Sequence, residues 1–195
     1  MTIANNLETH QLSFEEYCEY VKTTTESYEL VDGRLERMNP PTFRHMLIAK
    51  FIEKTLDDEI QRIQQPWLTF REAGVRTGWR KSRLTDVYVL TVEQVAEFLD
   101  ESAIIQTPPL LIVEVVSPDS GKTDYRFKRS EYAALEVPEY WIIDPFKNQV
   151  TVLEFVDGLY EEAIFSGEQR IISILFPDLY LTVEQVLSSG NLTNT

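Results

Sequence analysis

Glu114 interrupts an otherwise apolar run, Leu110 to Val116. An unpaired carboxylate in such a strand would carry a large desolvation cost. It must therefore be paired, lie at the exposed end of the strand, or bind a cation. Asp86 poses the same problem where it enters the apolar stretch that ends at Leu90. Carboxylates at the ends of neighbouring strands suit a hard divalent cation such as Mg²⁺, which takes oxygen ligands and keeps several waters. The alternative is that local backbone N–H groups or Arg76 satisfy both acids.

The segment after Glu114 adds a cation. Asp124, Lys128 and Tyr132 follow one another at intervals of four, so a helix there would present all three on one face. A lysine beside a bound metal can hold or deprotonate an attacking water and can stabilise charge on a phosphate. Spacing alone is equally compatible with a surface ion pair worth about 0.3–0.5 kcal/mol.

These residues need a scaffold. Ser13 with Glu16 forms a capping box for a short helix to about Val21. Tyr28 to Met38 reads as a hairpin about Asp32-Gly33. From about Phe43 to Arg62 the apolar residues recur at helical spacing. Strands are expected over 68–79 and 84–90, then a helix over 92–99 capped by Thr91. The β-branched run 109–117 has the pattern of a central strand covered on both faces. A helix over 123–135, a strand over 140–143 and an antiparallel pair around Asp157-Gly158 complete the series. Strands alternating with helices indicate an α/β domain with a central mixed sheet flanked by helices. Its expected limits are 12–189, with a flexible N-terminus over 1–11 and a tail over 190–195.

Composition narrows the function. The 195 residues suit one domain with its own core. One cysteine, Cys18, excludes an intrachain disulfide, and two histidines leave a structural zinc site without ligands. The first residues lack the basic start and apolar run of a signal peptide, and no stretch has the ~20 apolar residues of a membrane helix. A cytoplasmic protein without membrane contact is expected. The net charge of −14 opposes nucleic-acid binding by the surface as a whole. Its distribution does not, because Arg71–Arg83 and Lys122–Arg129 together hold half of the 18 Lys and Arg residues. They form either ordinary surface charge or a basic rim, with Arg76, Arg80 and Arg83 as candidates to face phosphates.

Several motifs in this order, YELVDG, the lone His45 opening a long helix, TDVYVL, LLIVEVVSPDS, D-x-x-x-K-x-x-x-Y and VPEYWIIDP, carry a resemblance. The chain resembles the restriction-endonuclease-like bacterial proteins of the PD-(D/E)XK nuclease superfamily from about Ser13 to Phe155. The resemblance implies that fold, with the hairpin at its N-terminal side and a C-terminal antiparallel extension. It also implies Asp86 and Glu114 as ligands of Mg²⁺ (Mn²⁺ substituting), with the Val115 carbonyl as a third. Glu29 would be an additional acid, and His45 would orient a ligand or cap its helix. Two departures stand out. Thr85 replaces the motif proline, and Val116 occupies the position of the usual lysine, which makes Lys128 the candidate for that role. The implied activity is hydrolysis of DNA phosphodiesters by a homodimeric, metal-dependent endonuclease. A catalytically silent relative that binds DNA or a protein is the alternative.

Overall fold

The computed structural model describes residues 11–118 and 120–192. Residues 1–10 of the expected flexible N-terminus and 193–195 of the expected tail lie outside them. Helix α1 (Phe14–Val21) starts at the Ser13–Glu16 capping box, in which each side chain accepts from the other residue's backbone N–H. Strands β1 (Tyr28–Val31) and β2 (Arg34–Arg37) pair in antiparallel register. Their turn needs positive φ at both central residues, and Asp32 (49°) and Gly33 (81°) supply it. Helix α2 (Phe43–Ile63) is capped by the Thr42 side chain and turns Ile48, Ile52, Leu56 and Ile60 inward.

The long hairpin β3 (Trp67–Gly78) and β4 (Lys81–Thr91) forms the centre of the molecule. Helix α3 (Val92–Ala96) ends three residues before the expected limit. A two-residue strand without a sequence signature, β5 (Ile104–Ile105), adds in parallel to β3. The fully buried β6 (Leu111–Val115) runs antiparallel to β4 and parallel to β7 (Glu139–Asp144). Antiparallel strands β8 (Gln149–Val156) and β9 (Leu159–Ser166) close that side, joined at a second Asp-Gly turn. The continuous path through the mixed sheet is β2-β1-β4-β6-β7-β8-β9.

Alternation along β4, β6 and β7 sends side chains into two cores. Val87, Val113 and Trp141 join α2 and α5 (Val183–Ser188) on one face. Tyr88, Ile112 and Tyr140 meet Tyr132 on the other. The expected 123–135 helix is two kinds of helix. Thr123–Lys128 forms a π-helical turn, and Arg129–Ala134 is the α-helix α4. The packed body also reaches one residue beyond its expected C-terminal limit: Gly190 is buried, and any side chain there would press on Arg44 and Ile48. No helix among the described residues is long and apolar enough to cross a membrane.

Glu139 is the fold's own buried acid. It accepts from Trp141 Nε1, the Ser173 hydroxyl and the amides of Ile174 and Leu175, tying the segment after β9 to the sheet. Burial raises its pKa, and these donors counter the rise only in part. Glu139→Ala leaves four donors without an acceptor and is expected to cost about 3 kcal/mol or more in urea unfolding. A loss under about 1 kcal/mol would show that water replaces the carboxylate.

Candidate active site

The site is built on an interruption in the sheet. One edge of β4 carries β1 at Ser82 and β6 at Val87–Val89. Among the described residues no strand pairs with that edge from Arg83 to Asp86, so side chains serve its main chain. Glu29 of β1 accepts from the Leu84 amide at 3.1 Å, and Lys128 Nζ donates to the Leu84 carbonyl at 3.3 Å. Asp86 Oδ2 accepts from the Val115 amide at 2.6 Å. N–H and C=O of one strand residue point to the same side, so the Val115 carbonyl also faces this opening.

The opposite edge is irregular at the same level. Arg71 pairs with Val87 and Ala73 with Thr85, but the pair between them, Glu72 with Asp86, does not form. Glu72 holds a left-handed φ of 57°, an uncommon conformation for a side-chain-bearing residue. Asp86 thus sits where β4 departs from regular pairing on both edges.

Around this point the structure brings together Asp86, Glu114, Lys128, Asp124 and His45. Lys128 Nζ lies 2.8 Å from Glu114 Oε2, 3.6 Å from Asp124 and 3.8 Å from Glu29. Tyr132 donates to the other Glu114 oxygen at 2.7 Å. Asp124 accepts from the Ser120 hydroxyl, and its carbonyl accepts from Tyr140. From the first turn of α2, His45 Nε2 meets Asp86 Oδ1 at 2.9 Å, while its buried Nδ1 has no partner among the described residues. Glu114 and Lys128 are almost wholly enclosed, whereas the Asp86 and His45 side chains keep 20% and 14% exposure. Access to the site is past Asp86.

The remaining expected residues divide. Glu29 keeps to the lysine side, bound to Leu84 and to Arg83 at 2.7 Å. Arg83 does not face phosphates: it is buried, gripped by Glu29 and twice by Glu131. Arg76 does not satisfy the site acids either, since its guanidinium lies over the Phe14 ring and donates to Gln106. Arg80 donates to Gln11. Val116, at the usual lysine position, is core. Sequence reasoning missed Glu131, although it follows Lys128 by three residues, a spacing that favours proximity on a helix.

The electrostatics are those of a site short of positive charge. Burial, joined by Asp86 and Asp124, pushes the Glu114 carboxyl well above the usual range against the pull of Lys128. Burial likewise raises Asp124. Burial disfavours the Lys128 ammonium, but Glu114, Glu29, Asp124 and Asp86 together outweigh that and keep it charged. For His45, burial opposes and Asp86 favours protonation, with a net rise. Among the described residues the connected network sets five enclosed or half-enclosed carboxyl groups (Glu29, Asp86, Glu114, Asp124, Glu131) and the exposed Asp32 against three fixed cations (Lys81, Arg83, Lys128). A divalent cation would offset that deficit, and the oxygens of Asp86, Glu114 and Val115 are donors of the type it takes. Among the described residues no group of three or more His, Cys, Asp and Glu side chains could hold a metal ion. Any ion here would depend on the Val115 carbonyl and on water.

Residues 14–184 match a family described as "Uma2: Putative restriction endonuclease". The chain belongs to the Uma2 family. Among solved structures, this chain is similar to "a putative nuclease belonging to DUF820 from Anabaena variabilis ATCC 29413", with a TM-score of 0.75 and 18% identity. That likeness covers 92% of this chain and 99% of the other, and it shows the restriction-endonuclease-like fold. The type IIG restriction endonuclease BpuSI aligns with 78% of this chain and 17% of its own at 13% identity. The TM-score of that alignment is 0.40. No curated protein gives a significant match. The Uma2 family assignment and this fold give the chain a restriction-endonuclease-like body and support nuclease activity in the general sense.

Arg83 neutralises two buried acids at once, so Arg83→Met is expected to cost about 3–5 kcal/mol at pH 7. Burial alone would raise Glu131, yet Arg83, Thr77 and Lys81 hold it below its ordinary 4.5. The folded state therefore binds fewer protons there than the unfolded chain. The stabilisation is complete above pH 4.5 and is lost as pH falls through the lowered value. The difference between wild type and variant in urea unfolding should thus narrow below that pH. A gap independent of pH would contradict the ion-pair account.

Proposed function

We propose that the protein is an endonuclease that hydrolyses DNA phosphodiester bonds at the Asp86–Glu114–Lys128 site. The observation that carries this reading is the meeting of two strand carboxylates and a buried lysine at the break in the β4 edge, with Asp86 partly exposed. Asp86, Glu114 and the Val115 carbonyl would hold Mg²⁺, with Mn²⁺ able to substitute. When bound, such an ion neutralises phosphate charge and makes a coordinated water more acidic.

The chain's own residues have separable tasks. His45 and the Val115 amide orient Asp86, and Tyr132 fixes one oxygen of Glu114. Lys128 presents its ammonium beside Glu114, where it can donate to the attacking water and stabilise the charge that develops on phosphate. Asp124 and Glu29 hold that ammonium in place; in this reading Glu29 serves the lysine rather than the metal. The attacking water forms one P–O bond as the bond to the leaving oxygen breaks. A homodimer would supply a second site for the second strand of a duplex.

With supercoiled plasmid and circular single-stranded DNA as substrates, wild type should cleave in Mg²⁺ or Mn²⁺ and not in EDTA. Asp86→Asn and Glu114→Gln should abolish cleavage. Lys128→Met should slow it about 100-fold or more while keeping the metal-dependent rise in melting temperature. That rise corresponds to about 2.7 kcal/mol at 100 times the metal dissociation constant. A folded wild-type protein that cleaves neither DNA and ignores millimolar Mn²⁺ would instead be a silent binding relative.

A further inference from the structure

The surface around the entrance has a composition that the catalytic residues do not explain. Three elements end at that side of the sheet. The first turn of α2 is placed there by the His45–Asp86 contact. The π-helical turn follows the end of β6 and carries Lys128. The turn after β7 lies at the same end because β7 is parallel to β6, and Tyr125 donates to Asp144 at 3.1 Å to tie the last two together.

Each of these elements exposes a phenylalanine: Phe43 at 85%, Phe127 at 50% and Phe146 at 61%. Single exposed apolar residues are ordinary, but three around one entrance are not required by the fold. Cations are interleaved with them. Arg44, Lys122, Arg126 and Lys147 are exposed on the same segments, Lys147 also 3.6 Å from Asp144. Lys122 Nζ lies 5.8 Å from the Phe127 ring centroid, and Lys147 Nζ lies 3.9 Å from that of Tyr125. Asp124, the acid within the π-helical turn, is buried toward Lys128, so the outer surface of that turn is positive. On a chain of net charge −14 this is a local reversal of sign.

We propose that this rim grips an unpaired DNA strand, with the phenylalanines stacking on bases and the cations on phosphates. The proposal rests on the nuclease reading above and narrows its substrate. A phenyl ring has no hydrogen-bonding group with which to read a base edge, so paired, stacked bases offer it little. An unpaired base offers a face to stack on, and rings alternating with cations are how sequence-tolerant single-strand grooves are built. The rim adjoins the most exposed side of the site, because Asp86 and His45 keep more exposure than Glu114 and Lys128.

The test is fluorescence anisotropy of wild-type protein in EDTA with labelled single-stranded DNA, duplex DNA and single-stranded RNA of equal length. Single-stranded DNA should bind at least about tenfold tighter than duplex DNA and at least as tightly as the RNA. Phe43→Ala, Phe127→Ala and Phe146→Ala combined should remove that preference and leave duplex affinity and melting temperature unchanged. Lys122→Met with Arg126→Met should weaken all binding and lower the salt slope by about 0.7 for each phosphate that is no longer neutralised. Equal or tighter duplex binding would overturn the proposal. So would tighter RNA binding, or a phenylalanine variant that changes oligomeric state but not strand binding. Cleavage plays no part in this readout. Strand preference without metal-dependent cleavage would therefore sink the nuclease reading alone, and cleavage of duplex without strand preference would sink this one alone.

Discussion

Backbone polar groups removed from water must find partners, and along one edge of β4 between Ser82 and Val87 no neighbouring strand among the described residues provides them. The rest of the site is organised around that constraint. Glu29 and Lys128 satisfy Leu84 from either side, and Asp86 turns its carboxylate to the Val115 amide across the opening. Each of these side chains brings a charge into the interior. Each charge then needs a counter-charge: Arg83 and Glu131 on the hairpin side, Glu114 and Asp124 on the side of the π-helical turn. The interruption in pairing and the buried ionic network are two aspects of one arrangement.

Buried ion pairs add little net stability when intact, yet losing one partner is costly because the other is left uncompensated. Such a network is a poor way to increase stability and an effective way to hold functional groups still. Lys128 has contacts with three carboxylates and a carbonyl, so its ammonium has little room to move. The network is nevertheless short of positive charge, and of the acids around Lys128 the least enclosed is Asp86. Both features favour a cationic ligand at the open end.

The packing around β6 accounts for the absence of a strand lysine. At that position Val116 packs into the core with Tyr132 and Ile142, where a charge would have no partner. The lysine arrives from the next element, on a π-helical turn of the kind often found at functional sites. Tyr132, one turn of chain further on, reaches back to the same glutamate. The strand and the following helix therefore both contribute charges to the buried cluster.

Most elements were legible because their signals are local. Ser13 and Thr91 each begin a helix through a capping box, both Asp-Gly pairs make the expected tight turns, and the alternating or continuous apolar runs are strands. Asp86 and Glu114 stood out for an equally local reason, a carboxylate in apolar company. What the sequence could not disclose depends on partners distant along the chain. Whether Glu29 serves a metal or a lysine, and whether Arg83 meets phosphate or buried acid, depends on residues about 50 to 100 positions away. The two-residue strand β5 exists only because β3 lies beside it. Local propensity and charge determined the elements and the candidate acids; the unpaired edge of β4, a product of how three strands dock, decided which charges meet.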